Sequence, residues 1–325
     1  MTANERVDAR TLAPQLLPSP PQPGEWMAYF AHHSRSFRFA ARFMPRAERE
    51  RLARVYAYCR YTDDLVDQAG GASLDVVEAR LDHWLELSRR AYAGCATGVP
   101  LLDAVMRDMR ADGVPFTYAA ELIEGMRMDL HHEPFATQEA LRLYTYRVAG
   151  VIGRWLTELF GVDDPAVLAR AESLGHALQL TNIMRDVGED FARGRVYLPR
   201  DVMAAHGVDD AMLEALCTGR RAMTDAFRAL AETVLGSAEE QYDEAIAAIP
   251  RLPVFFARPV GVAAYVYRGI HDEIRRSDYD TVRRRVHTSL RRKVWLGARG
   301  LSATADRRAA PSPSRTRYAP RYGSA

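Results

Sequence analysis

The sequence predicts an all-α protein, and three features of the 325-residue chain support that class. From Trp26 onward, apolar residues recur at the three- and four-residue spacing of amphipathic helices. No segment shows the alternation of apolar and polar residues that is typical of a half-buried strand. Glycine and proline separate most of the helical segments, as at Gly70-Gly71 and at Asp164-Pro165. We therefore expect a single bundle of about ten helices around a central cavity.

The predicted helices follow from this punctuation. Pro45 ends the first segment, Gly113-Val114-Pro115 separates two later ones, and Ile249-Pro250 ends the longest. The helices are expected at 25–44, 46–67, 74–93, 100–112, 115–130, 137–160, 164–190, 209–217, 219–248, 253–275 and 278–299. Because no linker divides them, residues 25–299 are predicted to form one domain. Residues 1–24 are expected to be a flexible proline-rich arm, and residues 300–325 a disordered basic tail.

Composition narrows the classes of function. The formal net charge of +2 provides no strong field to attract a polyanion, so we expect no nucleic-acid partner. The three cysteines are far apart and lack the spacing of a zinc site or a redox motif, which favours a reducing cytosol. No secretory signal and no apolar run of about 18–20 residues is present. We expect a cytoplasmic protein whose contact with membranes is at most peripheral.

Two acidic motifs dominate the sequence. The first acidic motif is residues 63–67, with Asp63 and Asp67, and the second is residues 186–190, with Asp186 and Asp190. In each motif the two aspartates are four residues apart and lie on the same face of a predicted helix. Such a like-charge pair costs a helix about 0.2–0.5 kcal/mol unless a cation neutralises it. Carboxylate pairs that bind a hard cation and, through it, phosphate are typical of Mg²⁺ sites, with Mn²⁺ as the alternative ion.

The second acidic motif extends a longer polar stripe. Gln179, Asn182, Asp186 and Asp190 follow one another at spacings of three, four and four residues. A solvated helix face is the alternative, but apolar residues occupy most of the remaining circumference, so the stripe is predicted to face an internal cavity. The first acidic motif alone could equally be an acidic helix end, and its interpretation depends on the second.

Other polar residues near the motifs are suited to phosphate. Arg60 precedes the first motif by one turn, while Arg185 and Arg195 flank the second, and guanidinium groups bind phosphate through two hydrogen bonds. Surface ion pairs with neighbouring carboxylates are the alternative for each arginine. Residues 33–37 add hydroxyl and cationic groups that could bind diphosphate. The histidines at 32–33 and 131–132 are expected to be solvated or hydrogen-bonded, because adjacent histidines on a helix point about 100° apart.

Small residues occur unusually often in residues 144–153, where Gly150 and Gly153 interrupt a predicted helix. Each glycine costs a helix about 1 kcal/mol relative to alanine, so the close passage of another helix or of a long ligand is expected here. The tyrosines in this stretch could be ordinary core residues, or they could line a pocket for a cation.

Five blocks together resemble the squalene/phytoene synthase family over about residues 25–296. The blocks are residues 33–37, residues 55–60 running into the first acidic motif, residues 144–153, residues 179–190 with residues 194–199, and residues 267–270 with residues 278–279. All five occur in the expected order, and bacterial phytoene synthases are the most similar members.

The resemblance implies an all-α isoprenoid synthase fold and assigns roles to individual residues. It implies that Mg²⁺ is held by the aspartates Asp63, Asp67, Asp186 and Asp190. It implies substrate-binding roles for Ser34, Arg60, Gln179, Asn182, Arg195 and Arg285, although Arg285 matches only with a one-residue gap. It implies catalytic roles for Tyr56, Tyr146, Tyr267 and Arg185.

The implied activity is a prenyltransferase reaction that joins two geranylgeranyl diphosphates head to head, through a cyclopropylcarbinyl diphosphate, to form phytoene for carotenoid biosynthesis. Arg147, Thr145 and residues 153–157 depart from the phytoene-synthase pattern. Formation of presqualene diphosphate or squalene from farnesyl diphosphate, with NADPH needed only for squalene, therefore stays open. A terpene cyclase and a non-catalytic prenyl diphosphate-binding subunit are further alternatives. An apolar product implies release to a membrane or to a downstream desaturase, and the basic residues 283–293 could contact anionic lipid.

Overall fold

The computed structural model describes residues 17–305, and these residues form helices without any strand. The helices are α1 (Trp26–His33), α2 (Arg35–Ala41), α3 (Arg46–Asp67), α4 (Leu74–Tyr92), α5 (Pro100–Asp112), α6 (Thr117–Leu130), α7 (Gln138–Thr145), a π-helical turn (Tyr146–Gly150), α8 (Val151–Leu159), α9 (Pro165–Arg185), α10 (Val187–Ala192), α11 (Arg200–Ala205), α12 (Asp210–Cys217), α13 (Asp225–Ala248), a 3₁₀ turn (Ile249–Arg251), α14 (Val254–Arg276) and α15 (Leu290–Ala305). The predicted all-α class is confirmed.

Several predicted helices differ from the observed ones: α13 starts at Asp225 instead of 219, a π-helical turn interrupts the segment 137–160, and α11 was not predicted. The segment 25–44 divides at Ser34, whose side chain caps α2 by accepting a hydrogen bond from the amide of Phe37 at 3.2 Å. The segment 164–190 breaks at Asp186. The segment predicted as helix over 278–299 becomes helical only at Leu290, since Asp278 and Tyr279 adopt positive φ angles of 59° and 61°.

Helix α9 lies at the centre of the bundle and packs against α13, α8, the π-helical turn and α14. Asp164 starts it by accepting a hydrogen bond from the amide of Ala166 at 2.9 Å, and Pro165 occupies the first helical position. A Cβ on Gly153 would lie 2.2 Å from the carbonyl oxygen of Ala171, and one on Gly175 would lie 2.5 Å from that of Ala149. The small residues expected to allow close helix passage do so here, against α9.

The core consists of large side chains that the surrounding helices bury completely. Trp84, Trp155, Tyr58, Phe160 and Phe227 are each less than 2% exposed. Burial of an aromatic or aliphatic side chain of this size stabilises the fold by about 1.5–3 kcal/mol. These residues fix the helices that position the acidic motifs.

The predicted arm and tail lie mostly outside the described residues. In the part of the arm that the structure describes, the carbonyl oxygens of Pro18 and Pro21 accept hydrogen bonds from Tyr61 and Trp26. Helix α15 continues to Ala305, beyond the predicted start of the tail at residue 300. Within residues 17–305, no helix has the length and apolarity needed to cross a bilayer.

Candidate functional site

The first acidic motif lies on the last turns of α3, where one arginine contacts two of its carboxylates. Arg60 places its Nη1 atom 2.8 Å from Asp63 and its Nη2 atom 2.5 Å from Asp64. The hydroxyl of Tyr29 also donates to Asp64, at 2.7 Å. Asp64 is therefore held by three neighbours, because Gln68 Nε2 also donates to it at 2.6 Å. Asp63 and Asp67 lie one helical turn apart along the same face.

The second acidic motif lies where α9 ends and α10 begins. Arg185 contacts Asp186 through two hydrogen bonds, with Nε and Nη2 at 2.7 and 2.5 Å from the two carboxylate oxygens. Arg285 approaches from the segment after α14 and lies 3.0 Å from Asp186 and 3.1 Å from Glu189. Although the helix breaks at Asp186, the amide of Asp190 still donates to the Asp186 carbonyl at 2.9 Å, so the two side chains keep their turn-by-turn relation.

Two arginines that follow the second motif contact the first motif. Arg195, in the loop after α10, lies 2.8 Å from Asp67 of the first motif, and Arg193 lies 3.4 Å from the same carboxylate. These ion pairs join segments that are more than 120 residues apart in sequence. In the sequence, only their common four-residue spacing relates the two acidic motifs, and the structure brings them together.

Asp129 of α6 lies between the motifs, and sequence reasoning missed it. Its carboxylate is 7% exposed and accepts hydrogen bonds from Tyr197 at 2.6 Å and from Tyr144 at 3.1 Å. Burial raises the pKa of Asp129 to about 6, although both tyrosine hydrogen bonds and Arg195 oppose the rise. A carboxylate on the buried face of α6, one turn after buried Met126, is the signal that could have found it.

One carboxylate in each motif, Asp63 in the first and Asp190 in the second, has a pKa well above that of an ordinary aspartate. Burial raises the pKa of Asp63 to about 7 against the opposing effect of Arg60, and the charges of Asp67 and Asp129 raise it further. Burial likewise raises the pKa of Asp190 to about 7, with Asp186 as the next largest cause. Among the described residues, no side chain donates a hydrogen bond to the Asp190 carboxylate or forms an ion pair with it. A site that brings carboxylates together in this way favours the binding of a cation.

The candidate metal ligands do not form one closed cluster in this structure. No group of three or more acidic, histidine or cysteine side chains within residues 17–305 is arranged as a metal site. Arginines contact Asp63, Asp67 and Asp186, so these carboxylates are already neutralised by guanidinium groups. The histidines at 131–132 were expected to be solvated or hydrogen-bonded and not to bind a metal together. In the structure, His132 accepts a hydrogen bond from the amide of Val196 at 3.0 Å.

An apolar cavity of about 300 Å³ begins beside the acidic motifs. Its polar wall near the motifs includes Tyr56, Gln179 and Asn182, and its lining follows one face of α9 from Val167 to Asn182. Fifteen residues of α-helix span about 22 Å, so the cavity is elongated. Most of its remaining lining is apolar and includes Phe30, Phe37, Met44, Leu52, Val148, Ile152, Leu156, Leu174, Leu178, Phe256 and Val260.

Further predicted residues lie around the mouth of this cavity. Tyr267 stacks on Phe37 with ring centroids 5.1 Å apart and lies next to Arg185, which opposes the rise in the Tyr267 pKa that burial causes. The side-chain amide nitrogen of Asn182 donates to Gln179 at 3.2 Å, while its side-chain oxygen Oδ1 is buried without a hydrogen-bond partner in the described part of the chain. Ser34 is buried, but its hydroxyl is engaged in capping α2.

Tyr146 is the one predicted catalytic residue that the structure does not bring to the site. It starts the π-helical turn, and the charged groups around it are Arg154, Glu121 and Glu172. Residues two positions apart on a helix point in nearly opposite directions, so Tyr144 faces Asp129 while Tyr146 faces away from it. The catalytic role of Tyr146 stays a prediction, and Tyr144 is the tyrosine of this block that contacts Asp129.

Comparison with known proteins agrees with this geometry. Residues 30–292 match the squalene/phytoene synthase family. The chain belongs to that family. It is 38% identical over 248 residues to a phytoene synthase of Thermus thermophilus, covering 75% of this chain and 80% of that protein.

Solved structures show the same fold. A dehydrosqualene synthase in complex with a ligand superposes with a TM-score of 0.76 at 26% identity, covering 91% of this chain and 98% of that one. The squalene synthase HpnC from Alicyclobacillus acidocaldarius superposes with a TM-score of 0.70 at 30% identity, covering 82% and 98%. The isoprenoid synthase fold is confirmed, and the protein is a prenyltransferase of isoprenoid and carotenoid biosynthesis that joins prenyl diphosphates head to head.

Proposed function

We propose that the protein condenses two geranylgeranyl diphosphates to phytoene through a cyclopropylcarbinyl diphosphate. The observation that supports this most strongly is the apolar cavity that follows α9 for about 22 Å and begins beside the two acidic motifs. Such a cavity suits a long hydrocarbon chain whose charged end stays among carboxylates and arginines. The similarity to a phytoene synthase supports the C20 substrate and the carotenoid product.

We propose that Asp63, Asp67, Asp186 and Asp190 hold Mg²⁺ in this reaction, with Mn²⁺ as a substitute. The fit is supported by Asp190, which has no side-chain partner among the described residues, and by the raised pKa values of Asp63 and Asp190. When bound, Mg²⁺ supplies charge neutralisation that makes diphosphate a better leaving group.

The arginines at the site supply the remaining positive charge. Arg60, Arg185, Arg195 and Arg285 contact carboxylates now, and each can exchange that contact for a phosphate oxygen when substrate and cation bind. Asn182 and Gln179 lie where the cavity meets these charges, and the unpartnered oxygen of Asn182 can accept a hydrogen bond there. Ser34 stays a substrate-binding candidate, because its hydroxyl accepts in the cap of α2 and can still donate its proton to a phosphate oxygen.

The cavity walls protect the cation that forms when diphosphate leaves. Tyr56 lines the cavity and Tyr267 lies at its mouth, so both aromatic faces can stabilise positive charge on the allylic carbons. The apolar lining excludes water that would otherwise capture the cation. We propose that the apolar product leaves to a membrane or to a downstream desaturase, since it does not dissolve in water.

A second candidate is the formation of presqualene diphosphate or squalene from farnesyl diphosphate, with NADPH as a reductant only for squalene. The similarity in fold to a squalene synthase and a dehydrosqualene synthase favours keeping it. Incubating the purified chain with Mg²⁺ and either the C20 or the C15 diphosphate, with and without NADPH, separates the candidates by product mass. A C40 hydrocarbon formed only from the C20 substrate supports phytoene synthesis, whereas a C30 product formed only from the C15 substrate rejects it.

A further inference from the structure

Helix α15 carries three of the most exposed large apolar side chains among the described residues, all on its first turns. Leu290, Val294 and Trp295 are 71%, 54% and 51% exposed. The other exposed large apolar residues are on helices α4, α7 and α14. A contiguous apolar surface of this kind on a soluble bundle usually marks a binding surface.

The exposed residues share one face of the helix. Leu290, Arg291, Val294, Trp295 and Arg299 follow at spacings that place them side by side, and all are exposed. The opposite face is buried against the bundle, where a Cβ on Gly300 would lie 2.6 Å from the Gly261 carbonyl oxygen and Leu296 contacts Gly269. We call the exposed side, residues 290, 291, 294, 295, 298 and 299, the outer face of α15.

Positive charge surrounds these apolar side chains. Residues 281–305 contain six arginines and one lysine and no aspartate or glutamate, although the whole chain has a net charge of only +2. Arg292 is turned inward to Asp272 and Glu273. Arg291 and Arg299 have no carboxylate partner among the described residues, and the guanidinium group of Arg299 lies 5.0 Å from the ring centroid of Trp295.

This combination selects the kind of partner. Tryptophan and arginine on one side of an amphipathic helix are suited to the boundary between phospholipid headgroups and acyl chains. A second copy of the chain would place two strongly positive faces together, which like-charge repulsion opposes. We propose that the outer face of α15 binds the surface of an anionic phospholipid bilayer.

The position of α15 connects lipid binding with the apolar cavity. Its buried face packs on α14 and on Phe39 of α2, and both of these helices also supply the cavity wall, through Val260, Ala263 and Ala40. The bilayer surface would therefore lie about one helix diameter, 10–12 Å, from the cavity. A hydrocarbon could pass from the cavity to the membrane along this wall. Only this last link rests on the proposed function, because the lipid binding follows from the surface alone.

Vesicle sedimentation with the full chain, without substrate, tests the proposal. We expect binding to vesicles of phosphatidylcholine mixed with phosphatidylglycerol, weaker binding at high salt, and none to phosphatidylcholine alone. Replacing Arg291 and Arg299 by alanine should weaken binding about fivefold each, and Trp295→Ser should weaken it about tenfold. Matched controls are Arg90→Ala and Leu74→Ser on α4, which change exposed residues of the same types and should leave binding unchanged.

Tryptophan fluorescence gives a second readout that does not depend on affinity. Trp84 and Trp155 are fully buried and Trp26 is partly buried, so Trp295 is the tryptophan most accessible to lipid among the four. Brominated acyl chains in the anionic vesicles should quench the wild-type fluorescence but not that of Trp295→Phe.

Three results would overturn the proposal. Equal loss of binding in the α4 controls would show that the outer face of α15 is not specific, and quenching that persists in Trp295→Phe would locate the contact elsewhere. The third is a concentration-dependent dimer in analytical ultracentrifugation that Trp295→Ser abolishes while vesicle binding stays unchanged. If instead vesicle binding holds but neither prenyl diphosphate is converted, the proposed function fails and the lipid surface stands.

Discussion

The two acidic motifs have the same spacing but are held in different ways. The first lies within one continuous helix of 22 residues, α3, and its main counter-charge, Arg60, comes from the same helix. The second lies across the break at Asp186, and Arg285 reaches it from a segment almost 100 residues away. The comparison shows that one helix sets the backbone of the first motif, although Arg195 pairs with its Asp67, whereas the backbone of the second motif also contacts a distant segment of the chain.

The segment that supports the second motif is residues 277–289, between α14 and α15. The amide of Gly188 donates to the carbonyl of Thr281 at 3.0 Å, and a Cβ on Gly188 would lie 2.1 Å from the Val282 carbonyl oxygen. Arg228 contacts Asp278 and anchors the start of the segment.

The largest expected effect is the difference in activity between a substitution at Asp190 and one at Asp64. Asp190 has no side-chain partner within the described chain, whereas Asp64 is held by Tyr29 and Arg60. Asp190→Asn should lower kcat/KM about 10³-fold, because it removes charge that stabilises the reacting complex. The matched variant Asp64→Asn should cost about tenfold or less, and circular dichroism should show both to be folded. Equal losses in steady-state kinetics would contradict the assignment.

Asp129, which lies between the motifs, should make stability depend on pH. Its pKa is raised in the folded protein to about 6, above the ordinary value near 3.9. Between these two pH values the folded state therefore binds more protons than the unfolded state. The free energy of unfolding should therefore fall as pH rises from about 4 to about 6, by about 3 kcal/mol at most.

Urea denaturation of the metal-free protein across this pH range measures that slope. Asp129→Asn should flatten it, although Asp63 and Asp190 will leave a residual decline toward pH 7. A variant with an unchanged slope would show that Asp129 is not the titrating group.

The third prediction tests the support that residues 277–289 give to the second motif. Gly188→Ala should destabilise the protein by about 1–3 kcal/mol, since the new Cβ displaces the backbone at Val282. It should also reduce the thermal stabilisation that added Mg²⁺ produces. Gly236→Ala is the control: Gly236 lies inside α13 with open space around its Cβ position, and alanine there should stabilise by about 0.5–1 kcal/mol. Equal thermal stabilisation by Mg²⁺ in the two variants would show that residues 277–289 do not support the second motif.

The smallest effect is expected at Arg285. Its ion pairs with Asp186 and Glu189 are partly exposed and contribute little to stability, so Arg285→Ala should leave the melting temperature within about 1–2 °C of wild type. If it binds phosphate, KM for the prenyl diphosphate should rise about tenfold with kcat nearly unchanged. A lower kcat at unchanged KM would indicate a role in the chemical step instead.

Local sequence patterns predicted those features of the protein that depend on residues close together in the chain. The all-α class and the pairing of aspartates within each motif follow from helical spacing alone. Asp129 was missed because its partners Tyr144 and Tyr197 are 15 and 68 residues away, so that only its position on the buried face of α6 marks it in the sequence. The helix predicted over 278–299 was wrong at its start, because two residues other than glycine adopt positive φ there.

The different surroundings of Tyr144 and Tyr146 could not be predicted from spacing. Both belong to one block of the sequence, and a π-helical turn begins immediately after Thr145, so that Tyr144 contacts Asp129 while Tyr146 lies among Arg154, Glu121 and Glu172. The roles of the remaining site residues stay predictions that the substitutions above test.

The central claim is that hydrocarbon chains occupy the cavity along α9 while their diphosphates stay at the acidic motifs. Ala171→Trp tests it most directly, because Ala171 lines the cavity part-way along that helix, well beyond the acidic end. We predict that the variant loses conversion of the C20 diphosphate while its thermal stabilisation by Mg²⁺ with inorganic diphosphate equals that of wild type. Full conversion of the C20 substrate by a folded Ala171→Trp protein would contradict the account.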